Sequence, residues 1–257
     1  MIDWLNQHDY IAGIEEISLS NASDSTRLLD KKEQREYRRA CGALNWVATQ
    51  SRPDISFDVA VLSSKLGQPN VKDVKMANKV VRKVKSADIS LRFLKLHGPL
   101  RICAYSDASH ANLPDGGSQG GQIVFLKDEL GQMSPISWVS RKVRRVCRST
   151  KSAETLSMLD AIDTSIWLSH ILSELLGYTK VITVITDNEG LKDSAYSTTA
   201  VEEKRLRVEI ASIRETIRDR LVKVEWVLKV DQLADVLTKQ GASRDRLLAV
   251  LAQSKVM

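Results

Sequence analysis

The chain has 257 residues, 43% of them apolar, which suffices for a real core and excludes a disordered or membrane-embedded protein. The formal charge of +6 leans weakly toward a polyanionic partner. The three cysteines (Cys41, Cys103, Cys147) and four histidines (His8, His97, His110, His170) are scattered, which argues against a zinc site or a disulfide framework and for reduced thiols.

In chain order, residues 1–30 read as short strands and polar turns, with some alternation in "DYIAGIEEISLS". The N-terminus lacks a basic region followed by an apolar run, so no signal peptide is predicted. No apolar stretch approaches the roughly 20 residues that span a membrane, and a soluble, intracellular protein, cytoplasmic or nuclear, is expected. Residues 31–50 predict a helix, with Tyr37, Cys41, Leu44 and Val47 at helical spacing. Pro53 interrupts it. Helix resumes over about 57–66 and over "VKDVKMANKVVRKVKSA", and "LHGPL" closes a mainly helical first third.

The pattern then changes. "LRICAYSDA", "SQGGQIVFLKD" and "MSPISWVSRKV" predict three strands joined by tight turns, hence antiparallel. Gly116, Gly117, Gly120 and Gly121 lack the strand–loop–helix setting of a phosphate loop and read as a hairpin turn. A long helix is expected from Thr150 to about Leu176, with Trp167 and Ile171 on its apolar face and Gly177 ending it. Trp138 and Trp167 read as core and Trp226 as half-exposed. "KVITVITDN" is the continuous apolar strand of a parallel sheet. Helices over 189–196 and about 201–221, a strand at "VKVEWVLKV" and a closing helix at "DQLADVLTK" complete a mixed five-stranded sheet flanked by helices. In such α/β sheets, sites gather at the carboxyl ends of the parallel strands.

Four carboxylates converge on that rim if the topology holds. Asp107 ends the first of these strands and Asp187 the fourth, Glu154 lies near the start of the long helix, and Asp235 begins the last. Taken singly, Asp107 or Asp187 is more often a turn or cap residue than a ligand, and Asp235 and Glu154 read as first-turn or capping residues. Together they repel one another unless cations hold them. Hard oxygen ligands suit Mg²⁺ or Mn²⁺, and two such ions can serve hydrolysis of a phosphodiester.

The segments "YSDASHANLPDGGSQGG", "SWVSRKVRRVCRSTKSAE", "TDN" and "QLADVLTK" resemble the ribonuclease H domain of copia-type LTR retrotransposon Pol polyproteins. "YRRACGALNWVATQSRPDISFDVAVLSSKL" is similar to the end of the reverse transcriptase region of the same family, and the resemblance runs from about Trp4 to Lys239. It implies a truncated reverse transcriptase thumb or connection remnant over 1–97, a ribonuclease H-like domain over 98–240 and a helical tail over 241–257. It implies hydrolysis of the RNA strand of RNA–DNA hybrids with two Mg²⁺ ions, Mn²⁺ being a possible substitute. Asp107, Glu154, Asp187 and Asp235 would be the catalytic and metal-binding residues, Asp107 bridging both ions.

Two features depart from the pattern. No histidine follows His170, whereas cellular ribonucleases H carry one shortly before the last aspartate. A Tyr-x-Asp-Asp polymerase turn is absent, so polymerase activity is not expected. The basic run holding Arg141, Lys142, Arg144, Arg145, Arg148 and Lys151 reads either as a solvated face or as contacts to backbone phosphates. Ser152 and Asn188 flank two proposed ligands and read as hybrid contacts or as caps. The rival reading is a transposon remnant without turnover, acting at most as a nucleic-acid-binding or interaction module.

Overall fold

The computed structural model describes residues 2–177, 181–201 and 203–255. Lys180 of the predicted fourth strand, Glu202 of the predicted 201–221 helix and the last two residues of the tail lie outside them. No described helix is long and apolar enough to cross a membrane. The chain divides into two units, Trp4–Leu91 and one formed by residues 1–3 with 92–257. The division falls within two short strands, β1 (Ile2–Leu5) and β2 (Leu91–Leu94); β2 gave no clear sequence signal.

The Trp4–Leu91 unit is helical. After α1 (His8–Ala12) come α2 (Lys31–Gln50), α3 (Ser56–Ser64) and α4 (Val71–Lys85). The starts of α2 and α4 are written in the sequence. Asp30 with Glu33, and Asn70 with Asp73, each form a reciprocal capping box. Such caps contribute about 1 kcal/mol apiece. Tyr37, Leu44, Val47, Val74 and Val81 are fully buried in the core they share, and the Tyr37 hydroxyl donates to the Leu62 carbonyl at 2.9 Å. The short strands predicted over residues 1–30 reduce to β1. Ile11, Ile14 and Ile17 recur every third residue and bury one face, a spacing that the eye reads as alternation. Asn78 of α4 then takes the place of a neighbouring strand: its side chain bonds both the N–H and the C=O of Ile17, at 2.8 and 2.9 Å.

The second unit is built on a sheet of β3 (Arg101–Ser109), β4 (Gln119–Lys127), β5 (Met133–Lys142), β6 (Val181–Thr186) and β7 (Val222–Trp226), in the order β5-β4-β3-β6-β7. The β5–β4–β3 pairs are antiparallel; β3–β6 and β6–β7 are parallel. This is the mixed sheet expected from the connections. The flanking helices are α5 (Thr150–Leu176), α6 (Glu189–Tyr196), α7 (Arg207–Arg218) and α8 (Asp245–Gln253). Ile102, Val124, Val184 and Val224 from the strands meet Met158, Ala161 and Ile162 of α5 and Ile210 and Ile213 of α7. Gly177, at φ +74°, ends α5 in the left-handed conformation, as its sequence position predicted. The tail is part of this unit: Met133 N–H donates to Ser254 C=O at 2.7 Å, and the Ser254 hydroxyl to Arg92 C=O at 3.0 Å.

Three expectations are corrected. Trp167 is 61% exposed and Ile171 is also exposed; α5 instead buries Ala153, Ser157, Met158, Ala161 and Ser165. Apolar and polar residues are spread around the helix, so periodicity could not choose its face, and small residues let it lie closest to the sheet. Gly120 and Gly121 are strand residues of β4, and only Gly116 and Gly117 belong to the turn. "DQLADVLTK" holds a single 3-10 turn, at 235–237, and begins at the end of another at 229–231, rather than forming a helix.

Candidate metal centre

In the parallel β3–β6 pair Tyr105 is opposite Ile185. Two residues further along each strand stand Asp107 and Asp187, side by side at the carboxyl ends. Glu154 comes from the second turn of α5. That turn is fixed by Ser157, whose hydroxyl donates to the Asp107 carbonyl at 2.8 Å and lies 3.3 Å from that of Gly121. One carboxylate oxygen from each of Asp107, Glu154 and Asp187 lies within 4.8 Å of the other two.

Asp107 is 1% exposed and Glu154 5%. Among the described residues, no donor reaches Asp107 Oδ1 or Glu154 Oε2. A buried carboxylate oxygen with no donor is costly. Burial first, then the neighbouring charges of Asp107 and Asp187, push the Glu154 carboxyl up to about 9. Burial also raises Asp107, against the opposing pull of Lys239 and Thr238. Two buried carboxylates this close, each with an orphaned oxygen, are relieved by a shared proton or by a cation. The donor set is all oxygen, and an open cleft of about 530 Å³ admits solvent to it. These residues therefore fit a hard divalent ion.

Asp235 is placed differently. Its 3-10 turn is fastened to the sheet by three side-chain bonds: Gln232 to Ser106 C=O at 3.0 Å, Asn112 to Thr238 C=O at 2.9 Å, and Ser140 to Leu237 C=O at 2.5 Å. Gly121, paired with Asp107 in the β3–β4 ladder, makes room: a Cβ there would lie 2.7 Å from Leu237 Cβ and from Thr238 Cγ2. The segment so docked brings the Thr238 hydroxyl to Asp107 Oδ2 and Lys239 Nζ to within 3.2 Å of the same oxygen. Lys239 Nζ also pairs with Asp235 Oδ1. Asp235 thus meets Asp107 through an ammonium group, and is not one of the three clustered carboxylates. Burial disfavours that ammonium, but Asp107 and Asp235 more than offset it and its pKa is raised.

The basic run divides. Arg141 pairs with Asp160 at 2.8 Å, Lys142 with Asp115, and Arg145 with Glu209. Lys151 donates to the Ser194 hydroxyl at 2.6 Å. Arg144 and Arg148 are exposed and have no ion-pair partner among the described residues. Ser152 is buried in the first turn of α5. Asn188 caps α6, its Oδ1 accepting from Leu191 N–H at 2.9 Å, while also lining the cleft. Reasoning from sequence overlooked Lys239, Thr238, Gly121 and the cleft-lining Lys229. For Lys239 a signal existed: Asp235 and Lys239 are four apart, the spacing at which opposite charges meet on a helical turn.

Comparison with known proteins bears on this arrangement. The Pol polyprotein of transposon RE1 of Arabidopsis thaliana is 32% identical over 217 residues, 83% of this chain and 14% of the relative. That of transposon TNT 1-94 of Nicotiana tabacum is 27% identical over 256 residues, 92% of this chain and 19% of the relative. The chain is related to the Pol polyproteins of copia-type retrotransposons. It spans about one seventh of the length of its RE1 relative. No protein-family model matches it. Among solved structures, LC11-RNase H1 in complex with an RNA/DNA hybrid shares 18% identity, with 58% of this chain and 99% of that one covered, at a TM-score of 0.43. A foamy viral protease–reverse transcriptase in complex with RNA/DNA hybrid shares 14%, covering 91% of this chain and 29% of that one, at 0.47. The described sheet, ordered β5-β4-β3-β6-β7 with helices flanking it, is the mixed five-stranded architecture that the sequence led us to expect.

Proposed function

We propose that this chain is a retrotransposon ribonuclease H that hydrolyses the RNA strand of RNA–DNA hybrids. The observation that carries the reading is the pair of buried, donorless oxygens on Asp107 and Glu154, beside Asp187 at the ends of two parallel strands. Left without donors they cost the fold, and a divalent ion at a phosphodiesterase centre would offset that cost. Asp107, Glu154 and Asp187 would hold one Mg²⁺ and Asp107 with Asp235 a second, Mn²⁺ serving as substitute. When bound, the ions supply Lewis-acid stabilisation of charge at the phosphodiester and activate the attacking water.

The remaining work falls to this chain's own groups. Ser157 and the β3–β6 pairing hold Asp107 in place. Arg144 and Arg148, free of acidic partners among the described residues, would contact backbone phosphates and give salt-dependent, sequence-independent affinity. Arg141, Lys142 and Arg145 would need to leave Asp160, Asp115 and Glu209 to do so, and rank behind them. Lys151 is held by Ser194, and buried Ser152 is placed to support the helix start. Asn188 has Oδ1 engaged in its cap, leaving the amide nitrogen for the hybrid. The Trp4–Leu91 unit would be the end of the reverse transcriptase region, without polymerase activity of its own.

The test is cleavage of a labelled RNA–DNA hybrid in Mg²⁺, with double-stranded RNA and duplex DNA in parallel and Asp107→Asn as control. Metal-dependent cutting of the RNA strand alone, abolished by the substitution, is expected. Binding without cutting in Mg²⁺ or Mn²⁺ would establish the inactive remnant instead, and cutting of duplex DNA would move the proposal to another substrate.

A further inference from the structure

The two oxygens of Asp107 face unlike surroundings. Oδ1 is buried and has no donor among the described residues, and one oxygen of Asp107 lies within 4.8 Å of an oxygen of Glu154 and of Asp187. Oδ2 already has two, the Thr238 hydroxyl and the Lys239 ammonium, and that ammonium also neutralises Asp235. On one side, then, negative charge stands uncompensated; on the other, a cation supplied by the chain itself is in place. The position of Lys239 is not incidental. Its backbone N–H bonds the Asp235 carbonyl at 3.2 Å, and the turn that carries it is docked through Gln232, Asn112, Ser140 and the space left at Gly121.

We propose that Lys239 is an internal cation that occupies the Asp107–Asp235 side of the centre, so that the chain without nucleic acid binds one divalent ion, at Asp107–Glu154–Asp187. The inference rests on the metal-dependent reading above. A lysine stem is flexible and its head a compact charge, and this side chain remains 32% exposed toward the cleft. Lys239 can swing out, and a second divalent ion enters only when it does. The lysine thereby makes the two-ion state conditional.

Mn²⁺ binding to the full chain, followed by calorimetry and by the spin-resonance signal of free Mn²⁺, tests this without any turnover. One tight ion is expected in the unsubstituted protein. Asp187→Asn is expected to abolish it. Lys239→Met should admit a second ion, with affinity at that side improved about tenfold or more by loss of the competing charge. Lys239→Arg, which keeps a cation there, should stay at one. Two ions of similar affinity in the unsubstituted chain would overturn the inference and leave the nuclease reading standing, a result that does not depend on any variant folding. A single ion in a folded Lys239→Met, or one that survives Asp187→Asn, would also overturn it. No Mn²⁺ bound by either the unsubstituted chain or Lys239→Met would defeat the metal-dependent reading itself, and this inference with it.

Discussion

Both units of the molecule bury charge, and they do so in opposite ways. In the helical unit Arg52 and Asp54 have fully buried side chains and meet in a two-pronged pair, Nε–Oδ1 at 2.7 Å and Nη2–Oδ2 at 3.0 Å. Arg52 Nη1 adds contacts to the carbonyls of Val84 and Ala87 at 3.3 and 3.4 Å. Every charge there has its complement, and the cluster ties the end of α4 to the turn after α2. In the sheet unit Asp107 and Glu154 are as deeply buried, yet each keeps an oxygen with no donor. On the proposed reading, the difference separates charge buried for structure, which is closed, from charge buried for chemistry, which is left open for something from outside.

That contrast can be broken by substitution. The largest effect is expected at Asp107. Asp107→Asn should lower hybrid cleavage by about a thousandfold or more, as removal of a metal ligand would, and leave the denaturation midpoint unchanged or higher. A marked fall in stability would mean that Asp107 is structural after all. Arg52→Ala should do the reverse. It leaves Asp54 buried without its main partner and should cost about 3–5 kcal/mol of stability in denaturant titration. Double replacement of Arg52 and Asp54 by apolar residues should recover much of that loss.

Gly121→Ala sharpens the comparison from the side of the open centre. The added methyl collides with Leu237 and Thr238, and overpacking of this kind costs about 1–3 kcal/mol. Cleavage should fall beyond the loss of folded protein, because the turn carrying Asp235 and Lys239 is pushed off β4; equal losses in the two measurements would argue against that placement. The smallest effect is a pH dependence in the helical unit. Hydrogen bonds from Arg27 hold the Glu33 carboxyl well below its usual range, at about 2, against its burial and with help from the backbone N–H groups of Asp30 and Ser20. A depressed carboxyl contributes stability that is complete above its unfolded value near 4.5 and lost as pH falls toward 2. The thermal midpoint should therefore drop more steeply between pH 4.5 and 2 in the unsubstituted protein than in Glu33→Gln.

Much of this was legible in the residues. Local grammar determined α2 and α4, through their capping residues and apolar spacing, and the end of α5, through Gly177. The alternation of strand and helix signals determined the mixed sheet, and so the neighbouring ends of β3 and β6 where Asp107 and Asp187 stand. These are short-range or topological properties, and a linear pattern encodes them. Tertiary structure alone decided which face of α5 is buried, since a helix with apolar and polar residues spread around it has no preferred side until the sheet selects its small residues. It decided that Arg141, Lys142 and Arg145 meet Asp160, Asp115 and Glu209, partners 19, 27 and 64 residues distant in sequence. It also decided that Asp235 faces Asp107 across the Lys239 ammonium. That contact joins residues more than a hundred positions apart, and it exists because Gly121 leaves space for a turn to dock. No periodicity along the chain records such a space.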